Sequence, residues 1–312
     1  MKTAELGLAK VAQRHATLHA FSVDVEDWFH ILDCEGAPDS SAWDSLPARV
    51  EHGTLAVLDA LDSYGHRATF YVLGWIADRH PALVREIAAR GHELGSHSYG
   101  HAMVSSLSPT EFARDLEQSM EAISRAAGVE VKTYRAPGFS IGPKEVWALE
   151  LLADAGITVD SSLFLAARAH GGWPLDRRRP FELWLPSGRR IHEVPVIPLR
   201  VGSVSLPYSG GGYLRLLPME VLKRLFDAAD YASEPAVAYL HPRELDPKQP
   251  RMALPPWRRF KYYVGLDGVD SKLRALLARY RFETISTVAA RSTRDPPVVL
   301  FATQNSGPSA AQ

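Results

Sequence analysis

Along the chain, short apolar runs alternate with amphipathic stretches in a repeating order. Residues 19–25 (HAFSVDV) alternate and are rich in β-formers, which predicts a first strand. From Pro47 to Ser63, Val50, Leu55, Leu58 and Leu61 share one helical stripe. RATFYVLG (67–74) is almost continuously apolar, as a strand buried on both faces of a parallel sheet would be. A helical pattern near 81–90 and a short strand ending at Ser96 follow. The best-marked helix starts at Ser108. Pro109 suits its first position, Glu111 completes a capping box, and Phe112, Leu116, Met120 and Ile123 recur at helical spacing until Gly128 closes it. A strand and turn are predicted over 131–138 (VKTYRAPG), a helix over 143–155, and a further strand in 156–162 (GITVDSS).

Beyond residue 165 the rhythm weakens. The Arg-, Pro- and Gly-rich stretch 165–190 reads as a long loop, 192–202 as a strand, and SGGGYLRLLP (209–218) as a second, Gly-rich loop. A helix over 218–228, a strand in AVAYLHP (236–242), a helix over 270–280 and a strand in FETIS (282–286) complete the pattern. The β-α-β-α alternation predicts an α/β fold with a mostly parallel sheet clad in helices, and about seven strand candidates favour a barrel over an open sheet. The expected organisation is an N-terminal extension (1–18), one α/β domain (19–291) with additional elements from about residue 200, and a loose tail (292–312).

Composition narrows the function classes. With 46% hydrophobic and 23% charged residues in 312, a sizeable core is available. A formal net charge of −1 lacks the basic surplus of a nucleic-acid binder, so no nucleic-acid partner is expected. The single cysteine, Cys34, excludes an internal disulfide and a cysteine-rich zinc site, and its neighbours Asp33 and Glu35 disfavour a reactive thiolate. No apolar run is long enough for a transmembrane segment, and the first twenty residues lack the apolar core of a secretory signal. The cytoplasm, or the periphery of the inner membrane, is therefore the expected compartment. Nothing in the pattern speaks to oligomeric state.

The suspicious polar residues fall at the C-terminal ends of predicted strands, where a parallel barrel gathers its active site. Asp24, Glu26 and Asp27 end the first strand, and three carboxylates so close would repel one another unless solvated or relieved by a cation. His97 and His101, in HSYGH, could give one imidazole nitrogen each to an ion, or be two plain loop histidines. His92 reads as a structural hydrogen-bonder. Two histidines and one carboxylate on a shared face would leave open positions on a divalent ion, with Zn²⁺, Co²⁺, Ni²⁺, Mn²⁺ and Fe²⁺ all compatible. Such an ion activates water, a second carboxylate can serve as base, and His241 in YLHP can supply an acid. Arg135, before Ala-Pro-Gly, could hold a catalytic carboxylate ionised.

These residues resemble the polysaccharide deacetylases of the NodB type, carbohydrate esterase family 4. The likeness covers roughly residues 19–245 and is carried by ATFYVLG, RGHELGSHSYGH, YRAPG, DSS and YLH. DVEDWF, SGGGYLRLLP, LHPRELDP and RFKYYVGL are further similar to a subgroup associated with exosortase-type exopolysaccharide loci. The resemblance implies a distorted (β/α)₇ barrel that removes N-acetyl groups from a glycan or its precursor and releases acetate. It implies Asp24 as base, oriented by Arg135, and His241 as acid. The metal ligands would be His97, His101 and, because Val25 replaces the usual second aspartate, Glu26, with Asp27 left open. Zn²⁺ is the first choice, with Co²⁺, Ni²⁺ or Mn²⁺ as alternatives. Tyr99, Pro137, Phe139, Asp160 and Leu240 would contact the N-acetylated glycan substrate: Leu240 lining an acetyl pocket, Asp160 supporting His241 or the pocket floor, and the Tyr99 and Phe139 turns offering an N–H to the oxyanion. Trp28, Trp75, Tyr99 and Phe139 are candidates for stacking on sugar rings, and Gly210–Gly212 either allow a close approach of glycan to backbone or form a plain turn. Rival expectations are a hydrolase of a small non-sugar amide and a glycan-binding protein whose active site has decayed.

Overall fold

The computed structural model describes residues 17–32, 34–167, 171–201, 204–206 and 208–300. In chain order the elements are β1 (Leu18–Val25), α1 (Val50–Ser63), β2 (Thr69–Val72), α2 (Gly74–Arg79), α3 (Pro81–Ala89), β3 (Glu93–Ser96), α4 (Pro109–Ala127), β4 (Thr133–Tyr134), α5 (Val146–Asp154), β5 (Val159–Asp160), β6 (Phe181–Trp184) and β7 (Arg190–Glu193). There follow β8 (Leu199–Val201), β9 (Val204–Leu206), α6 (Gly211–Leu216), α7 (Met219–Ala232), β10 (Val237–Leu240), α8 (Pro256–Tyr263), α9 (Val269–Leu277), β11 (Arg281–Glu283), α10 (Ile285–Arg291) and β12 (Val298–Val299).

The main sheet runs β10-β1-β2-β3-β4-β5-β7-β6-β12, with β11 also paired to β1. Strands β10, β1 to β5 and β7 form a parallel series, and β6 turns back antiparallel on β7. No ladder joins β7 to β10 among the described residues. This is the distorted (β/α)₇ barrel expected, open at one seam.

The pleat of β1 sorts its side chains. Phe21, Val23 and Val25 join the core between strands and helices, and Ala20 joins the smaller core inside the barrel. Ser22 and Asp24 share the inward parity of Ala20. Each fully buried Val or Phe contributes roughly 1.5–3 kcal/mol, so a one-residue slip of β1 would be costly on both faces. Helix α4 begins as its sequence predicts: Ser108 Oγ accepts from the Glu111 N–H, and Glu111 Oε2 accepts from the Ser108 N–H. It ends at Gly128 with φ 71°.

Several expectations change. Leu55 is exposed, while its stripe partners Val50, Leu58 and Leu61 are buried. The stretch 165–190 holds strand β6, whose apolar pair Phe181 and Leu183 faces the core; residues 168–170 lie outside the described residues. SGGGYLRLLP contains helix α6, because packing of Leu214 outweighs the local cost of the two glycines in its first turn. Helices α2, α8 and α10 were not expected. In the segment expected to be a loose tail, β12 pairs with β6, so ordered structure runs past residue 291. The extension 1–16 and the tail beyond 300 lie outside the described residues.

Candidate functional site

A cavity of about 230 Å³ opens at the C-terminal ends of the strands. Asp24 reaches it from the end of β1, Glu26 from just beyond β1, His97 and His101 from the loop after β3, and His241 from the end of β10. Arg135, one residue past β4, backs its floor. The predicted catalytic and metal-ligating residues thus converge on one place.

The histidine loop is forced into shape. Ser98 and His101 adopt φ of 69° and 56°, values that cost a non-glycine residue roughly 1–3 kcal/mol each. The compensation comes from α4, where Asp115 accepts the N–H groups of Tyr99 (2.8 Å) and Gly100 (3.0 Å), and from the Ser98 hydroxyl, which accepts the His101 N–H at 2.9 Å. Asp115 was not singled out from sequence. Its signal was a carboxylate on the apolar stripe of α4, between Phe112 and the buried Ser119.

Ligand atoms of Glu26, His97 and His101 all lie within 4.8 Å of one another, and all three residues are buried. His97 Nδ1 sits 2.8 Å from the Arg135 carbonyl oxygen, so that nitrogen carries the proton and donates. In a neutral ring, Nε2 then presents a lone pair to Glu26 Oε1, 3.2 Å away. Lone pair and carboxylate repel unless a proton or a cation lies between them. His101 Nε2 approaches the same oxygen at 2.9 Å without hydrogen-bond geometry. Two buried imidazoles and a carboxylate aimed at one point fit a divalent ion. Without an ion, burial alone would raise the Glu26 carboxyl, but His101, His241 and His97 outweigh it and hold it well below the usual range. Burial likewise opposes protonation of His97, and Asp24 and Glu26 overcome it and raise its pKa.

Asp27 faces away from this point. It accepts the N–H groups of Trp28 (2.8 Å), Arg49 (2.8 Å) and Val50 (3.1 Å), and so caps α1. The neighbouring carboxylates have separate tasks: Glu26 turns to the imidazoles and Asp27 to the N–H groups at the start of α1.

Arg135 has no exposed surface. Its Nη1 donates to Asp24 Oδ1 and to Ser22 Oγ, each at 2.8 Å, and Nη2 donates to Ser161 Oγ at 3.0 Å. The guanidinium lies 4.4 Å from the Tyr71 ring. Burial lowers its pKa, but the charge and hydrogen bond of Asp24 prevail and raise it. His241 places Nε2 3.7 Å from Glu26 Oε1 and Nδ1 3.9 Å from Glu244 Oε2.

The expected substrate contacts divide. Phe139 lines the cavity, but its N–H already donates to Ala136 O. Tyr99 does not line it: its N–H goes to Asp115, its hydroxyl donates to Asp78, and its ring packs on Gly74. Pro137 is buried beside the cavity-lining Gly138. Asp160 sits beneath the floor, bonded to the Ser162 hydroxyl at 2.6 Å, and it is Glu244 that stands beside His241. Leu240 lies in the core between sheet and helices, because strand parity sends Tyr239 and His241 to the cavity and Leu240 to the opposite face. Trp28 and Trp75 are buried in an aromatic cluster with Phe29, Trp43 and His30. Gly210 and Gly211 accommodate the chain's own Tyr239 ring and Glu244 carboxylate, which a Cβ would overlap. Cys34, partly buried, lies outside the cavity. His92 accepts the Ala68 N–H at 3.3 Å, the structural role expected of it.

Sequence reading missed His30, which lines the cavity with its pKa held well below the ordinary value, chiefly by burial and by His101. Among the described residues, ten buried side-chain polar atoms lack a hydrogen-bond partner. Four of them, His30 Nε2, His101 Nε2, His241 Nδ1 and Arg243 Nη1, belong to residues lining this one cavity. Buried polar atoms without partners are expensive, and their concentration here marks a site built to receive a ligand.

Fold and site together define an α/β barrel with a buried His–His–Glu cluster and a flanking carboxylate and imidazole. Comparison with known proteins agrees. Residues 40–159 match the polysaccharide deacetylase family, and residues 161–290 match a domain of unknown function (DUF3473). Over residues 40–159 the chain is therefore similar to the polysaccharide deacetylases. It is 33% identical over 98 residues to a peptidoglycan-N-acetylglucosamine deacetylase of Bacillus cereus, covering 31% of this chain and 36% of that one. It is also 33% identical over 89 residues to a bifunctional xylanase/deacetylase of Pseudobutyrivibrio xylanivorans, covering 28% and 15%. The chain thus matches only about a third or less of these curated relatives' length. A crystal structure of a Mycobacterium smegmatis protein assigned to the polysaccharide deacetylases superposes with a TM-score of 0.63 at 21% identity, covering 93% of this chain and 96% of that one, which shows the shared fold.

The boundary between the two matched segments is not a boundary in space. Val159, which ends the first, pairs in register with His192 of the second, and His241, Arg215, Arg243 and Glu244 from the second segment line the same cavity as His97 and His101 from the first.

Proposed function

We propose that this protein hydrolyses the N-acetyl group of an N-acetylated sugar in a polysaccharide or its precursor, releasing acetate. The observation that carries the reading is the meeting of Glu26, His97 and His101 within 4.8 Å beside Asp24 and His241 on one cavity. Glu26, His97 and His101 would hold a divalent ion, with Zn²⁺ the first choice for two nitrogens and one oxygen and Co²⁺, Ni²⁺ or Mn²⁺ as alternatives. When bound, that ion supplies Lewis acidity, polarising a carbonyl and acidifying water.

The chain's own residues do the rest. Asp24, oriented by its 2.8 Å hydrogen bond from the buried Arg135, takes a proton from the attacking water. His241 delivers a proton to the nitrogen as the C–N bond breaks. Acetate departs and the sugar keeps its amine. The N–H groups of Tyr99 and Phe139 are already committed within their turns, so among the chain's own groups stabilisation of the oxyanion is left to cavity-lining side chains. A cytoplasmic setting, expected from the sequence, makes a precursor glycan the first substrate to try, and fractionation of the native protein checks that setting.

The test is acetate release from N-acetylglucosamine oligomers by the purified chain, with and without a chelator and with Asp24→Asn and His241→Ala variants. Zinc-dependent release that each variant reduces by about 100-fold or more supports the reading. Undiminished release in chelator, or in both variants, would sink it.

A further inference from the structure

The wall of the cavity contributed by the second segment is cationic, and the proposed deacetylation gives that charge no task. Asp24, Glu26 and Glu244 are the carboxylates lining the cavity, whereas Arg215, Arg243 and Lys261 line it and Arg135 backs it. The lining as a whole balances at three acids against three fixed cations, but on the wall from the second segment Arg215, Arg243 and Lys261 face one carboxylate, Glu244, a local excess of positive charge before any histidine proton or metal ion is counted.

The pairings show where the excess lies. Asp24 is matched by Arg135 at 2.8 Å. Glu244 is matched by Arg215, whose Nε donates to its Oε1 at 3.2 Å while Nη1 donates to the Lys261 carbonyl oxygen at 2.7 Å. Burial would raise the Glu244 carboxyl, but His241, Arg215 and Arg243 bring it down to about 2. Asp246, on the far side, is held by both nitrogens of an Arg49 fork. Glu26 faces three histidines, and Arg243 Nη1 stands off at 3.8 Å from its second oxygen. That Nη1 is buried and donates to nothing, although the guanidinium is braced 5.1 Å from the Tyr262 ring. Lys261, on the same helix α8, is exposed at the rim and has no acidic partner within salt-bridge distance among the described residues. A fixed, partly dehydrated cation with a vacant donor is an anion receptor.

We propose that Arg243, assisted by Lys261 at the rim, binds an anionic group of the substrate, a carboxylate or a phosphate on the sugar next to the acetamide or on the acetylated sugar itself. This rests on the deacetylase reading above and specifies its substrate as an acidic glycan or a phosphate-linked precursor.

The test is calorimetric titration of the full chain stripped of divalent ions, so that no ligand is consumed. The ligands are a hyaluronan tetrasaccharide (carboxylate), N-acetylglucosamine 1-phosphate (phosphate) and chitotetraose (neutral). At least one anionic ligand is expected to bind about tenfold or more tightly than chitotetraose, and which one does so identifies the anion. Arg243→Gln should remove most of that advantage. Lys261→Glu, an exposed position where folding is not at stake, should reduce it about threefold or more at low salt. Equal affinities, no measurable binding of either anion, or an advantage that survives both substitutions would overturn the subsite. Acetate release with zinc restored, measured on the same preparations, judges the deacetylase reading separately: turnover of chitotetraose without anion preference keeps the function and removes the subsite.

Discussion

Arg135 Nη1 donates to Asp24 Oδ1 at 2.8 Å in a position where the guanidinium is wholly buried and the carboxylate nearly so. The pair joins the ends of β4 and β1, which are not neighbours in the sheet. It supplies the proposed base with a permanent counter-charge and makes the two residues depend on each other for folding.

Removing one partner should therefore be worse than removing none. Arg135→Met is expected to cost about 3–5 kcal/mol of stability, because Asp24 is left buried without its cation. Urea unfolding measures this. A loss under about 1 kcal/mol would mean that the pair is not desolvated in solution.

Asp115 touches no proposed ligand, yet it holds the loop that carries His101 in a left-handed conformation. Asp115→Ala should weaken zinc binding roughly 10- to 100-fold, as the loss of an outer support commonly does. Competition with a chromophoric chelator reads the affinity directly. Unchanged affinity would show that the loop keeps its shape unaided.

His92 offers a pH test away from the site. Burial, followed by the charge of Arg67, lowers its pKa to about 4 from 6.5. The unfolded chain binds this proton first, so the stability contribution is complete above about pH 6.5 and is lost as pH falls through about 4. His92→Asn retains an acceptor for the Ala68 N–H and should flatten the pH dependence of stability in that window. Parallel curves for variant and parent between pH 4 and 6.5 would contradict it.

Leu240 sits on the helix side of β10. Leu240→Ala is expected to cost about 2–5 kcal/mol of stability, while leaving the discrimination between acetyl and propionyl amides unchanged. Urea unfolding and a two-substrate rate comparison check both halves. A shifted acyl preference with little loss of stability would return Leu240 to the cavity wall.

Element order was readable because it is written locally. The capping box at Ser108 and Glu111, the period of Phe112, Leu116 and Ile123, and the apolar run around Phe70 depend on residues within a few positions of one another. The late helices were harder. Gly210–Gly212 and Pro255–Pro256 carry local signals for loops, and burial of Leu214 or the docking of α8 at the cavity rim overrides them only in the assembled molecule.

The amino-acid sequence by itself determined the kind of fold and the inventory of reactive groups, since strand periodicity places Asp24, His97, Arg135 and His241 at strand ends and a parallel barrel has one such rim. Only the tertiary structure decided which groups act together. It turned Glu26 toward the imidazoles and Asp27 toward the N-terminus of α1, exchanged Leu240 for Tyr239 at the cavity, and brought Arg243 within 3.8 Å of Glu26 across 217 positions of chain. These outcomes rest on register, pleat direction and contacts between distant segments, which no local pattern encodes.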